Sequence, residues 1–270
     1  MCGEQLPANY ASWRRGVLNN TQNMVATLAH DTCLNKKFSI AFHMVCDSTG
    51  YGGVSPSSRA AIITGLNAAF KRICVSFASC HVDSIPNYSY NDWIKPSTDE
   101  VVSPNWDLDK TINIYMTDSI RGFPLGYAYG PGSKDVIVLE KGAGVGTAIH
   151  EMGHFFGLPH TFDEISPVPP AIPAPTNPSI TSQEFVNRIP SNCYTHGDGF
   201  CDTEADCYSA GYNKQAQPCH YQTGWTDATG VYYVPPVDNY MTYFDCGCRF
   251  TQEQYNFMAR VILTQRLYLH

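Results

Sequence analysis

His150-Glu151-Met152-Gly153-His154-Phe155-Phe156-Gly157-Leu158-Pro159-His160 carries the most chemistry of any segment in this chain. On a helix, residues four apart stand on one face with Cβ atoms roughly 6 Å apart, so His150 and His154 can grip one ion together. Glu151 projects beside them, within reach of a water on that ion and not forced to ligate it. Gly157 permits a left-handed turn that no side chain obstructs, and that turn brings His160 round as a third ligand. Three neutral imidazoles leave Zn²⁺ with its +2 charge and an open position, the arrangement of a catalytic rather than a structural site. Such an ion acidifies water. Glu151 is then the expected general base: it takes the proton as the water attacks a scissile carbonyl and hands it to the leaving amine. The bland alternative is a helix with two surface histidines and a stray loop histidine. The glycine and the third histidine at fixed offsets lower the chance expectation to roughly 10⁻⁵.

The segments before this one read as an α/β half. Phe38 to Cys46 suits a first strand, and Ser55-Pro56 supplies a helix start with proline near the first helical position. Ile62, Leu66, Ala69, Phe70 and Ile73 follow at helical spacing and should face a core. Ile73 to Val82, Thr111 to Met116, the short Gly126–Gly130 piece and Asp135 to Leu139 read as strands. A helix should begin after Gly142–Gly146 and end at Gly157. Residues 1–37 show little periodicity and read as an N-terminal extension. The upper half is therefore expected over 38–157 and the lower half over 158–270. Proline-rich Ser166 to Ser179 cannot be regular structure. Residues 193–248 carry six cysteines and few periodic segments, as in a region stapled by bridges. Thr251 with Gln254 makes a capping box for a last helix, with Tyr255, Met258 and Ile262 as its inner stripe.

Composition narrows the function. In 270 residues, 43% are apolar and 15% charged, which describes a globular chain. The formal charge of −7, without any Lys/Arg-rich run, argues against a nucleic-acid partner. No apolar run reaches the length of a membrane span. Eleven cysteines without a CxxC pair suit disulfides in an oxidising compartment, and the odd count leaves one thiol over. The sequons at Asn19 and Asn87 are compatible with secretion. No charged-then-apolar segment opens the chain, so a removed signal peptide is expected. His30, His43, His81, His196, His220 and His270 lack ligand spacing and read as surface or hydrogen-bonded residues.

Asp238 to Tyr243 offers a methionine-containing tight turn beyond the third histidine. Met241 would form an apolar floor under the imidazoles, and Tyr243 would lend its hydroxyl to the metal or the oxyanion. The alternative is an ordinary core methionine and a surface tyrosine.

HEMGHFFGLPHTF (150–162), GDGFCDTEADC (197–207) and DNYMTYFDCGCRFTQEQ (238–254) resemble the corresponding blocks of the pappalysin family of metzincin zinc proteases, ulilysin-like members included. The likeness extends more loosely to LNAAFKR, TINIYM and GYAYG upstream. It implies a metzincin fold of the α/β (α+β) type. The upper subdomain would hold a twisted, mostly parallel sheet with backing and active-site helices. The lower one would be irregular and disulfide-rich, ending in a helix, with a horizontal cleft between. Gly126–Gly130 would be an antiparallel rim strand to which an extended peptide adds.

The same resemblance implies structural calcium on the Asp198 carboxylate, the Thr203 hydroxyl and the carbonyls of Gly197 and Phe200. The residues alone fit a plain Asx-turn equally well. It further implies bridges from Cys193 to Cys219 and from Cys207 to Cys246 or Cys248. Cys2-Gly3 resembles a pro-segment motif whose thiolate would fill the open zinc position, with residues 1–37 as a latency segment; an ordinary extension with Cys2 in a disulfide is the alternative.

The expectation is a secreted metalloendopeptidase that cleaves internal peptide bonds. A non-catalytic, metal-containing adhesion module is the competing class, and an amidase or deacetylase a narrower one. Glu151 argues against the first rival, since a structural metal has no need of a base. Family members selective for basic residues place an acid in the pocket near Met241 to Cys248; Asp245 is nearby, and the spacing around the two cysteines leaves its direction open. Oligomeric state is left open by these residues.

Overall fold

The computed structural model describes residues 9–20, 33–122, 125–165, 182–186, 192–208, 226, 230–244 and 246–269. Its elements run in the order α1 (Tyr10–Asn20), β1 (Lys36–Val45), α2 (Pro56–Ala69), β2 (Val75–Ile85), β3 (Asp92–Trp93), α3 (Ser97–Trp106), β4 (Ile112–Thr117), β5 (Ser119–Ile120), β6 (Gly126–Ala128), β7 (Val136–Glu140), α4 (Val145–Phe155), β8 (Ser182–Gln183), β9 (Cys207–Tyr208) and α5 (Gln252–Thr264). They divide into two compact units. Of the described residues, the first unit holds 33–157 and 258–269, and the second holds 9–20 and those of 158–257.

The first unit is built on a five-stranded sheet in the order β2-β1-β4-β7-β6. β2, β1, β4 and β7 are parallel, and β6 closes one edge antiparallel to β7. The parallel strands β4 and β7 are buried almost throughout, as strands covered on both faces are. Ser55 caps α2 by accepting from the Ser58 N–H at 3.0 Å, and Ile62, Leu66 and Ala69 form its buried stripe. α2 packs on α4 where Gly65 faces Val145: a Cβ on Gly65 would stand 2.1 Å from Val145 Cγ1. The missing side chain lets the two helices approach closely. Phe38, Phe70, Phe77 and Phe156 interlock beneath the sheet with ring centroids 5.3–6.5 Å apart. His43 is a hydrogen-bonded core histidine, held between Asp83 Oδ1 at 2.8 Å and Asn113 Oδ1 at 3.0 Å.

Arg266 anchors this unit from its far end. Its fully buried guanidinium lies 3.9 Å from the Phe155 ring centre and pairs with the Asp135 carboxylate. It also donates to the Tyr129 and Gly130 carbonyls, each at 3.0 Å. One cation thereby grips the end of α4 and the chain leaving β6.

The described residues of the second unit have little regular structure. α5 begins in the expected capping box: the Thr251 N–H donates to Gln254 Oε1 at 2.9 Å, and the Gln254 N–H returns to Thr251 Oγ1 at 3.3 Å. Val186, Cys193, Ala205, Cys207, Tyr233 and Phe244 make a small core.

Within the N-terminal extension, residues 10–20 form α1, whose Trp13 meets Phe257 edge-on and whose Arg14 donates to the Gly199 carbonyl. Residues 258–269 group with the first unit. Other expectations are corrected. α3 lacks a helical apolar pattern and contains Pro104; acidic Asp99 and Glu100 in its first turn favour it instead. Cys193 bonds to Cys201 rather than Cys219, because the intervening turn brings their Cα atoms to 5.1 Å. Cys207 does not join Cys246 or Cys248; it is a buried thiol in the small core, and burial raises its pKa. Cys33 bonds to Cys74, Cys246 is disulfide-bonded, and Cys248 is an exposed thiol. Cys2, Cys219, Asp245 and the proline-rich stretch lie outside the described residues.

Replacing Arg266 with alanine strands two buried carbonyls and the Asp135 carboxylate. It is expected to destabilise the protein by about 3–5 kcal/mol, measured by equilibrium denaturation.

Candidate metal centre

α4 is buried from Ala148 to Phe155, so the donors it carries are shielded from water. His150 and His154 stand one turn apart with rings nearly perpendicular, 85°, and with their Nε2 atoms 3.0 Å from one another. The helix ends as the spacing requires. Gly157 takes φ +88° and donates its N–H to the His154 carbonyl at 2.8 Å. His160 follows three residues on. One nitrogen from each of the three rings lies within 4.8 Å of the other two, and all three residues are buried.

These donors fit a zinc ion. Nitrogens at about 2.0–2.1 Å around a tetrahedral ion stand roughly 3.3 Å apart, close to the His150–His154 separation. His160 is set by Asp163, whose Oδ2 accepts from the His160 N–H at 2.9 Å and faces its Nδ1 at 3.0 Å. The proton therefore sits on Nδ1, and Nε2 keeps its lone pair for a metal. Phe162 stacks on the His160 ring at 4.7 Å, and Tyr243 meets it edge-on at the same distance. The sequence reading missed Asp163; a carboxylate three residues after the third ligand was the available signal.

Glu151 is fully buried on α4 beside His150. β6 passes close above it: a Cβ on Gly126 would stand 3.2 Å from Glu151 Cγ and 2.9 Å from Leu139 Cδ2. Only glycine at 126 lets the edge strand and the glutamate share this space.

In the second unit, Met241 is buried in a turn fixed from both sides. Its N–H donates to Asn239 Oδ1 at 2.8 Å, and Asn239 in turn donates to Gln254 Oε1 at 2.9 Å. Its carbonyl accepts from the Thr161 N–H at 3.2 Å, next to His160. Asp206, also missed in the sequence, lies wholly buried with Oδ2 at 2.9 Å from Thr161 Oγ1 and 3.5 Å from Thr242 Oγ1. Burial pushes its carboxyl up to about 7.

The calcium-type residues form a closed turn. Asp198 Oδ1 accepts from the Phe200 N–H and the Thr203 hydroxyl, both at 2.9 Å, and Thr203 Oγ1 lies 2.9 Å from the Phe200 carbonyl. Glu184, a third missed acid, bridges the Asp198 and Asp206 amides at 2.5 and 2.8 Å. Burial raises both Glu184 and Asp198 well above the usual carboxylate range.

Mature mirolysin of Tannerella forsythia, solved with a cleaved peptide, superimposes with a TM-score of 0.58 at 18% identity, covering 86% of this chain and 94% of that one. This chain has the mirolysin fold. Mirolysin in complex with compound 9 aligns equally well, at 0.58. Promirolysin, carrying a Glu-to-Ala substitution, gives 0.57 at 16% identity over 97% of this chain and 94% of that one. At 16–18% identity the likeness to mirolysin is one of fold. An extracellular metalloprotease of Pyricularia oryzae is 27% identical over 189 residues, 58% of this chain. The chain spans about half of that relative, 54% of its length. No family model matches the chain.

Asp163→Ala frees the His160 ring to turn. Zinc affinity, read by competition with a chromophoric chelator, is expected to fall about 10–100-fold.

Proposed function

We propose that this chain is a secreted, zinc-dependent endopeptidase of the pappalysin type. The observation that carries the reading is the convergence of His150, His154 and His160 with Glu151 on the same buried helix turn. The three imidazoles would hold zinc, which when bound supplies Lewis acidity to a water and to the scissile carbonyl. Glu151 accepts the proton of the attacking water at its carboxylate and delivers it to the leaving amine nitrogen. The Tyr243 hydroxyl donates to the carbonyl oxygen as negative charge develops there. Met241 serves as an apolar floor for the imidazoles.

The substrate is an extended peptide. β6 pairs only with β7 among the described strands, leaving an edge whose backbone groups can receive a further strand. Secretion is supported by the extracellular relative and by bridges such as Cys33–Cys74 and Cys193–Cys201, which persist in oxidising compartments. No helix of the described residues is long and apolar enough to cross a membrane. Latency through Cys2 belongs to the same reading. Its test is a Cys2→Ala protein, which should gain activity if the thiolate blocks the metal.

Calcium at Gly197–Thr203 is part of the proposal. The Asp198 carboxylate, the Thr203 hydroxyl and the Phe200 carbonyl already cluster there, and a cation would offset the burial of Asp198. Added calcium is expected to raise the thermal midpoint with a dependence on its concentration, and Asp198→Asn to abolish the rise.

The decisive measurement is casein degradation. Wild-type activity should vanish with a chelator and return with zinc, while Glu151→Gln keeps zinc and loses roughly 10²–10⁴-fold in rate. Undiminished proteolysis by Glu151→Gln would overturn the mechanism. Zinc binding without any proteolysis by either the wild type or Cys2→Ala would favour an adhesion module.

A further inference from the structure

The ADC end of the GDGFCDTEADC block has no part in the mechanism above, yet it places a carboxylate in the interior of the second unit. We infer that Asp206 is a positioning residue for the metal centre: its carboxylate ties the chain beside the third ligand, through the Thr161 hydroxyl, to the Met241 turn, through the Thr242 hydroxyl. The inference rests on the proposed zinc reading.

The geometry divides the carboxylate in two. Oδ1 accepts the Cys207 N–H at 2.7 Å, while Oδ2 faces the two hydroxyls at 2.9 and 3.5 Å. Thr161 and Thr242 flank His160 and Met241, and the Thr161 N–H to Met241 carbonyl bond closes the loop between the segments. Asp206 is itself held, since Glu184 accepts its N–H at 2.8 Å and donates its own N–H to the Asp206 carbonyl at 3.2 Å. Only a carboxylate offers acceptors on both sides. An amide turned to satisfy Cys207 presents NH₂ to the hydroxyls, and turned the other way it sets N–H against N–H. Burial that disfavours the charge makes this residue a poor strut for stability alone. A positional role explains its presence better.

The test compares wild type with Asp206→Asn, Thr161→Val, Thr242→Val and the Asp206→Asn/Thr161→Val double variant. Two quantities are measured: zinc affinity by chelator competition, and the thermal midpoint of the metal-free protein. Asp206→Asn should weaken zinc binding about 10–100-fold, with the metal-free midpoint unchanged or raised. The double variant should bind no more weakly than Asp206→Asn alone. Should Asp206→Asn not fold, the two threonine variants carry the test through the same loss of affinity. Unaltered zinc affinity in the variants, or a loss that only follows a lower metal-free midpoint, overturns the inference while leaving the protease reading intact. A wild type that binds no zinc overturns the protease reading itself, and this one with it.

Discussion

Two imidazole Nε2 atoms stand 3.0 Å apart on one buried helix, a spacing that suits a shared proton or a cation held by both. Much of the first unit serves to hold them there. α4 is buried along its whole inner length, Gly65 lets α2 press against its first turn, and Arg266 caps its last ring at Phe155. A helix gripped at both ends cannot turn its histidines outward, so the arrangement is preorganised for a cation rather than assembled by one. Gly126 extends the same logic to the base, because any larger residue on the edge strand would displace Glu151.

The second unit solves its packing differently. Its described residues hold two short strands and a small apolar core, and buried polar side chains join the segments around them. Asn239 links the Met241 turn to the start of α5, Glu184 links two loops through their amides, and Asp163 orients His160. Buried carboxylates are unfavourable unless their acceptors are filled. Here each takes N–H or O–H donors on its oxygens, which makes the loops mutually dependent in position. Such a network specifies one arrangement more than it adds to stability.

The sequence alone determined those features that depend on local period and local chemistry. The metal helix, its glycine stop, the capping box of α5, the Ser55-Pro56 start of α2 and the apolar strand runs all express rules that operate within one turn or one strand. The candidate ligands were legible for the same reason, since His150, His154 and His160 lie within eleven consecutive residues. Tertiary structure alone decided what depends on distant segments meeting. Asp206 and Glu184 look like solvent-facing acids in a polar loop until residues 22 to 45 positions away close over them. The family resemblance pointed Cys193 to Cys219, and only the turn that brings Cys201 beside it decided its partner. α1 and α3 carry little apolar periodicity, so packing and end charges, rather than pattern, make them helices. Burial is a property of the folded whole, and it is burial that turns ordinary polar residues into the supports of this site.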